Sequence, residues 1–328
     1  MPQQRPAQRS RKSYPIDQCA LYKLRNKRRL AHLLGLTWSE LQALLARADN
    51  YRCFDIVEGE KRRPVEEPKP HLKRLHKRLF ELLQRIEVPE YLHSGVKQRS
   101  YITNASAHVN AAPLAKLDIR KFYPSTTIGR VYEFFAQGLL CSKDVAAALS
   151  KLATYDGHIP TGSPLSQVLA YYSHKPMFDR IHELAAAKGL VMTCYVDDLT
   201  FSGGGLSGAF MYDVKQLIHA RGLQYHKEKR YARGQPKLVT GVVVTEKGIR
   251  VPHKLHKAIY TAFQALQECT DDAQRVKLLE QLLGRCNAAN QLEMSFAARL
   301  QFASELHRHA RKRLKSAGRE KKLQPSPA

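Results

Sequence analysis

The sequence predicts an α+β fold, with a mixed core of helices and strands followed by an α-helical terminal region. Short apolar segments of strand composition alternate with longer segments whose leucines recur at helical spacing. The chain after Pro252 shows helical periodicity only, which predicts a separate helical part. With 328 residues, 43% of them hydrophobic, the chain is long enough to bury a substantial core.

The first third of the chain is predicted to be mainly helical. Two short helices are expected within Leu30–Ala48, where Thr37 begins a helix-start signal. Residues 58–70 are charged and contain three prolines, which predicts a loop. Leucines at helical spacing from Leu72 to Ile86 then predict a basic amphipathic helix.

The remaining elements follow from composition and from turn signals. Strands are predicted at Leu114–Ile119, Val191–Val196 and Leu199–Ser202, with a hairpin at 238–251. Helices are predicted at Ile128–Leu140, Ser142–Ala153, Pro164–Ala187 (bent at Pro176) and near Leu206–Ala220.

The charge of the chain indicates a nucleic acid partner. The formal net charge is +25, because 54 Lys and Arg face 29 Asp and Glu. Residues 1–29 and 308–322 carry +15 of this charge, and the middle of the chain carries the other +10. Basic ends alone would indicate flexible arms, whereas a basic middle favours a groove that follows a phosphate backbone. A merely basic structural protein is the alternative.

The cysteines and histidines indicate neither disulfides nor zinc. Six cysteines are scattered without a Cys-x-x-Cys pair, and no apolar amino-terminal segment precedes them, which predicts a reduced, cytoplasmic chain. The 14 histidines lack cysteine partners at zinc-ligand spacing. Because no apolar run reaches the roughly eighteen residues that span a bilayer, we expect no membrane partner.

The sharpest local signal is the tetrapeptide Tyr195–Asp198, in which an apolar strand delivers two adjacent acids to a tight turn. Adjacent carboxylates repel one another and normally need a cation, for which Mg²⁺ is the natural choice. A third acid, Asp118, ends another apolar strand. If the strands are neighbours, these carboxylates form the ligand set of two divalent ions about 4 Å apart. An ordinary surface β-turn is the alternative for the tetrapeptide alone.

Several segments in order resemble reverse transcriptases over about residues 90–250, and most closely those of bacterial retrons. The similar segments are Leu117–Ser125 (first aspartate motif), Pro160–Gln167 (template and nucleotide support), Tyr195–Asp198 (catalytic turn) and His226–Lys229 (a lysine near the pyrophosphate). The resemblance implies a right-hand polymerase with fingers at 13–113, a palm on a small antiparallel sheet at 114–250 and a helical thumb at 251–316. Residues 1–12 are expected to be a basic flexible arm and residues 317–328 a disordered basic tail.

The resemblance also implies roles for individual residues. Asp118, Asp197 and Asp198 would be catalytic and would hold two Mg²⁺ ions, with Mn²⁺ as an alternative and Ile119 as a further metal contact. The implied contacts to substrate are Arg99 and Lys97 at the triphosphate, Tyr123 under the sugar, Ile119, Gly162 and Lys229. Cations at the triphosphate are needed to offset its charge.

Two further segments are similar to retron enzymes in particular. Asn104–His108 matches the pattern Asn-Ala-x-x-His, and Val239–Gly241 matches Val-Thr-Gly. The resemblance implies that both regions recognise the cognate structured RNA, through Asn104, His108, Val239, Thr240 and Gly241. Thr161, Gln167 and His226 stand where many relatives have Gln, Pro and Asn, and the Gly162–Gln167 form is similar to that of diversity-generating enzymes.

The function implied is that of an RNA-directed DNA polymerase that copies a cognate non-coding RNA into single-stranded DNA. A 2′-hydroxyl of the same RNA would be the primer, giving branched multicopy single-stranded DNA (msDNA) in defence against phage. The implied partners are the structured RNA template and primer, the RNA–DNA hybrid, the msDNA product, deoxynucleoside triphosphates and a separate defence effector protein. The alternatives are a diversity-generating or other bacterial reverse transcriptase, and a non-catalytic RNA-binding protein on the polymerase scaffold.

Overall fold

The structure, a computed structural model, describes residues 13–110 and 112–323 and divides them into two units. The first unit contains the described residues up to Ser100 together with Leu114–Arg230. The second contains the described residues of Tyr101–Pro113 and those from Tyr231 onward. Both combine helices with antiparallel strands, which confirms the α+β prediction. The boundaries of fingers, palm and thumb stay a prediction, and the expected arm at 1–12 lies outside the described residues.

The elements are numbered in chain order. The helices are α1 Lys27–Leu33, α2 Trp38–Ala46, α3 Pro70–Leu83, α4 Tyr101–Ser106, α5 Phe122–Ser125, α6 Ile128–Glu133, α7 Lys143–Ala153, α8 Ser166–Ala187, α9 Gly208–Ala220, α10 His253–Glu268, α11 Asp272–Leu292 and α12 Ala297–Leu323. The strands are β1 Tyr51–Glu58, β2 Lys61–Pro68, β3 Leu114–Ile119, β4 Val191–Tyr195, β5 Asp198–Ser202, β6 Tyr225–Tyr231, β7 Lys237–Val239, β8 Val242–Thr245 and β9 Gly248–Arg250. A π-helical turn occupies Phe134–Gly138.

The first unit is built on a four-stranded sheet in the order β4-β5-β3-β6. Strand β5 pairs antiparallel with both β3 and β4, so the predicted strands around the acidic turn are neighbours. Leu117, Leu199 and Phe201 on these strands are fully buried. The apolar composition of the strands therefore fixes the sheet in the core and leaves the acids at its end.

The prediction of a loop at 58–70 is wrong, because strands β1 and β2 form a hairpin there. The strands pair from Tyr51 with Pro68 inward, and Gly59 between them has φ +62°. Pro64 cannot donate a ladder hydrogen bond, but a two-stranded ribbon leaves the outer side of each strand unpaired, where proline is tolerated. The predicted pair of short helices is confirmed as α1 and α2, and Thr37 forms the expected capping box with Glu40.

The second unit joins helix α4 to a three-stranded sheet, β7-β8-β9, and continues into helices α10, α11 and α12. These three helices enclose their own core, in which Leu279, Leu282, Cys286 and Phe296 are buried. Helix α12 continues to Leu323, so the tail expected to be disordered from 317 begins as helix. Residues 318–322 are mostly Arg, Glu and Lys, which are good helix formers. Residues 324–328 lie outside the described part.

Two smaller differences concern strands. Strand β6 was not expected, because its sequence is polar throughout and lacks the apolar alternation that predicts a strand. The hairpin expected at 238–251 is the three-stranded β7-β8-β9 sheet. Within the described residues, no helix combines the length and the apolar character needed to cross a membrane.

Candidate active site

The three predicted acids meet at one end of the central sheet. Asp198 begins β5, where its Cα is paired across the ladder with Tyr195 of β4 on one side and with Asp118 of β3 on the other. Asp197 lies in the turn before Asp198, and its carbonyl accepts a hydrogen bond from the amide of Ile119 at 3.0 Å. Strand pairing alone therefore brings together residues that are far apart in the sequence.

The acids perturb one another electrostatically. The pKa of Asp197 is raised to about 6, mainly by burial and also by the charges of Asp118 and Asp198, while a main-chain hydrogen bond and His226 oppose the rise. Burial also raises the pKa of Asp198, with Asp118 adding to the effect and Lys116 and Lys227 lowering it. Such mutual repulsion among partly buried carboxylates is typical of a site that gains stability from a cation.

The donor atoms suit a hard divalent ion. Carboxylate oxygens are the ligands that Mg²⁺ and Mn²⁺ prefer, and the acids lie within electrostatic range of one another. In residues 13–110 and 112–323, no three His, Cys, Asp or Glu side chains are already closed around one ion position. Part of the reason is that Oδ1 of Asp118 pairs with Nδ1 of His226 at 3.1 Å. Repulsion also keeps three like-charged carboxylates apart when no cation lies between them.

The turn that carries Asp197 is strained. Val196 has φ +60°, a left-handed conformation that costs a β-branched residue on the order of 1–3 kcal/mol. Its amide donates a hydrogen bond to Oγ of Ser94 at 2.9 Å. The turn is therefore bound on one side by Ser94 and on the other by the amide of Ile119.

Two of the predicted substrate residues, Tyr123 and Lys229, lie in the first unit, and Tyr123 is within electrostatic range of Asp197. The ring of Tyr123 in α5 is largely buried, which raises the pKa of its hydroxyl to about 12, and Asp197 contributes to that shift. Lys229 lies on β6, three residues after His226, with its side chain exposed. The contacts expected of Tyr123 at the sugar and of Lys229 at the pyrophosphate stay predictions.

Lys97 and Arg99 differ in their surroundings. Lys97 is exposed, whereas Nη1 of Arg99 donates to the carbonyls of Pro89 at 2.6 Å and Leu92 at 2.7 Å. A guanidinium engaged with main-chain carbonyls organises its own loop in this structure. The contacts expected of Arg99 and Lys97 at the triphosphate stay predictions.

Gly162 lies against the hairpin. Its amide donates to the carbonyl of Glu66 at 3.1 Å, and a Cβ at this position would lie 2.8 Å from that carbonyl oxygen and 2.8 Å from Cγ1 of Val65. The Glu66 carboxylate accepts from the amide of Thr161 at 3.1 Å and pairs with His158 at 3.2 Å. The motif at Pro160–Gln167 is therefore hydrogen-bonded to strand β2, a contact that the sequence did not indicate.

The residues predicted to recognise RNA lie together in the second unit, but three of them are inside it. Asn104, His108 and Val239 are fully buried. Oγ1 of Thr240 donates to the carbonyl of Tyr101 at 2.9 Å and lies 3.4 Å from Nδ2 of Asn104. Thr240 and Gly241 both have positive φ, and Gly241 is exposed. In this structure the two motifs shape a turn together, and their recognition of RNA stays a prediction.

Three residues at the turn were not predicted: Lys116 and Lys227, which lower the pKa of Asp198, and Ser94, which binds the amide of Val196. Lys116 precedes Asp118 by two residues on the same strand, and this spacing places both on one face of the sheet. That alternation was a readable signal. The contact of Ser94 with Val196 joins segments about a hundred residues apart and has no local signature.

Comparison with known proteins supports the same family. The chain is 30% identical to the Retron Se72 reverse transcriptase of Salmonella heidelberg over 60% of this chain and 53% of that protein. It is 27% identical to the Retron Ec86 reverse transcriptase of Escherichia coli over 67% of this chain and 71% of that protein. It is 29% identical to the Retron Mx162 reverse transcriptase of Myxococcus xanthus over 68% and 54%, respectively. The chain thus spans about half the length of two of these relatives.

No protein-family profile matches the chain. Among solved structures, a foamy viral protease-reverse transcriptase in complex with double-stranded DNA aligns with a TM-score of 0.43 at 16% identity, over 74% of this chain and 36% of that one. An alignment at that level supports no inference about activity. The sequence matches confirm that this chain is similar to the reverse transcriptases of bacterial retrons.

Proposed function

We propose that the protein is an RNA-directed DNA polymerase that extends a primer with deoxynucleoside triphosphates on an RNA template. The observation that carries this proposal is the convergence of Asp118, Asp197 and Asp198 at the end of the central sheet. The similarity to retron reverse transcriptases supports it independently of the geometry.

Different residues of the site would have different roles in the reaction. Asp118, Asp197 and Asp198 would hold divalent ions, Mg²⁺ in the first instance, and bound ions would supply activation of the primer hydroxyl and neutralisation of phosphate charge. Lys116 and Lys227 oppose the rise in the pKa of Asp198 that burial and Asp118 cause, and so favour its ionised form. Tyr123, beside Asp197, would bound the sugar pocket of the incoming nucleotide.

The finer proposal is that the template is a cognate structured RNA, primed by its own 2′-hydroxyl to give msDNA. The similarity to named retron enzymes supports this subgroup. The turn formed by Thr240 and Gly241, buttressed by Asn104, would meet the RNA on its exposed side. Two Mg²⁺ ions, a role in phage defence beside an effector protein, and a cytoplasmic location belong to the same proposal.

The test is incorporation of labelled deoxynucleotides by the purified protein on a primed RNA template with Mg²⁺. The double variant Asp197→Asn/Asp198→Asn should lose incorporation and keep RNA affinity, because the change removes ion ligands and leaves the basic surfaces intact. Asp213→Asn is a matched control, since this exposed acid lies on α9 away from the turn. Undiminished incorporation by the double variant would remove these acids from the site.

A further inference from the structure

A segment outside the recognised motifs lies along the strand that leads to the catalytic turn. The amide of Cys194 in β4 donates to the carbonyl of Tyr91 at 2.7 Å, and the amide of His93 donates to the carbonyl of Cys194 at 2.9 Å. Leu92 forms a parallel bridge with Cys194. Residues 91–94 therefore extend the sheet beyond β4 and run toward the acids.

The last residue of this segment reaches the turn itself. Ser94 is 6% exposed, and its Oγ accepts a hydrogen bond from the amide of Val196 at 2.9 Å. Because Val196 lies in the two-residue turn between β4 and β5, its amide has no partner in the strand ladder. Val196 is partly buried, where an amide without a partner is costly, and it also holds a strained φ of +60°. The hydroxyl of Ser94 therefore stabilises a conformation that valine would not otherwise adopt.

Contacts with Arg99 and Gln167 hold the segment that contains Ser94 in place. Nη1 of Arg99 donates to the carbonyls of Pro89 and Leu92, on the approach to Ser94. Gly95, with φ +68°, follows Ser94 and lies so close to Gln167 that a Cβ would be 2.9 Å from its Nε2. These contacts leave Ser94 little freedom to move away from the turn.

We propose that Ser94, oriented by Arg99, is a positioning residue that holds Val196 in its left-handed conformation and thereby aims Asp197. This proposal rests on the proposed polymerase function for its catalytic consequence and on the structure alone for its geometry. Ser94 is buried and its hydroxyl binds the main-chain amide of Val196, so it would act through the main chain of the turn. It should therefore affect the rate of the chemical step more than the binding of nucleotide.

The experiment compares Ser94→Ala with Ser94→Thr and with the control Ser150→Ala. Ser150 is equally buried, and its hydroxyl bonds only within α7, to the carbonyl of Ala146 at 2.8 Å. Threonine keeps the hydroxyl, and a cavity of about 40 Å³ lined by Ser94 leaves room for its methyl group. Amide hydrogen exchange of the peptide containing Val196 is measured first, without metal or substrate, followed by kcat and the KM for deoxynucleotides.

In Ser94→Ala we expect exchange at Val196 to be roughly tenfold faster and kcat to fall roughly tenfold, with KM changed by less than about twofold. Ser94→Thr should restore both, and Ser150→Ala should change neither. Unchanged exchange at Val196 in Ser94→Ala would overturn the proposal, as would equal losses in the Ser150→Ala control. If the wild type incorporates no nucleotide, the polymerase proposal fails, whereas the exchange measurement still decides the role of Ser94.

Discussion

In the absence of metal, repulsion among the clustered acids should lower the stability of the protein. Removing one of these charges, in Asp197→Asn, should therefore stabilise it. The folded state raises the pKa of Asp197 from 3.8 to about 6, so it holds this proton more tightly than the unfolded chain does. Stability therefore falls as the pH rises from about 4 to 6, and the full cost applies above that range. That cost is roughly 3 kcal/mol, or about 1–3 kcal/mol once partial solvent access is allowed for.

An amide at position 197 removes the charge and therefore this cost. We expect Asp197→Asn, in EDTA near pH 7.5, to unfold at a temperature about 3 °C higher for a gain of about 2 kcal/mol, because the unfolding entropy of a 328-residue chain is about 0.7 kcal/mol/K. Near pH 5 the gain should shrink, because the wild-type carboxyl is then mostly protonated. Added Mg²⁺ should stabilise the wild type more than the variant, since ligands that bind only the folded state raise its stability.

The assay is thermal unfolding followed by circular dichroism, with Asp213→Asn as the control for loss of an exposed charge. The control should change the unfolding temperature little at either pH, because isolated surface charges contribute little to stability. The reasoning is refuted if Asp197→Asn is no more stable than the wild type in EDTA near pH 7.5. It is also refuted if its gain is the same at both pH values.

Three further predictions concern other parts of the molecule. Gly162→Ala should raise the KM for deoxynucleotides severalfold, because the added Cβ would push against the carbonyl of Glu66 and shift the hairpin. Steady-state kinetics measure this change, and an unchanged KM would contradict it. His76 is fully buried, and burial lowers its pKa to about 4. Acidification from about pH 7.5 to 5 should therefore lower the unfolding free energy of the wild type by about 2 kcal/mol, a loss that His76→Gln should not show. Equal pH profiles of the two proteins in urea unfolding would exclude this. Asn104→Ala should impair copying of the cognate RNA more than copying of a generic primed template, since Asn104 supports the turn at Thr240; equal losses on both would exclude a role in specificity.

The sequence predicted the convergence of the three acids because their signal is local. Asp118 and Asp198 each border an apolar strand, and two buried strands of one small sheet leave few alternatives to being neighbours. The predicted strand at Leu114–Ile119 is confirmed residue for residue, and the two strands around Asp197 are confirmed within one residue. Apolar composition is a strong predictor where a segment is buried on both faces.

The hairpin and strand β6 were missed because neither is buried in that way. Residues 61–64 of the hairpin are basic or proline, and β6 contains three exposed cations between Tyr225 and Tyr231. Hydrogen bonding to a neighbouring strand, rather than burial, determines these elements. Pairing of that kind leaves no periodic signal in a single sequence.

The roles of polar residues were the hardest to predict, because they depend on contacts between distant segments. Asn104 and His108 matched an RNA-recognition pattern, yet both are fully buried. Thr240, whose hydroxyl lies 3.4 Å from Nδ2 of Asn104, is 136 residues further along the chain. A side chain's type indicates which partners it can have, whereas only the fold determines which one it finds.

The most direct test of the central claim is whether the protein copies an RNA sequence. Purified protein should be given an oligo(dT) primer on poly(rA) with Mg²⁺ and each deoxynucleotide in turn. We predict incorporation of thymidine nucleotide alone, abolished by EDTA and by Asp118→Asn. Incorporation irrespective of the template base, or RNA binding without incorporation on this template and on the cognate RNA alike, would contradict the claim that this is an RNA-directed DNA polymerase.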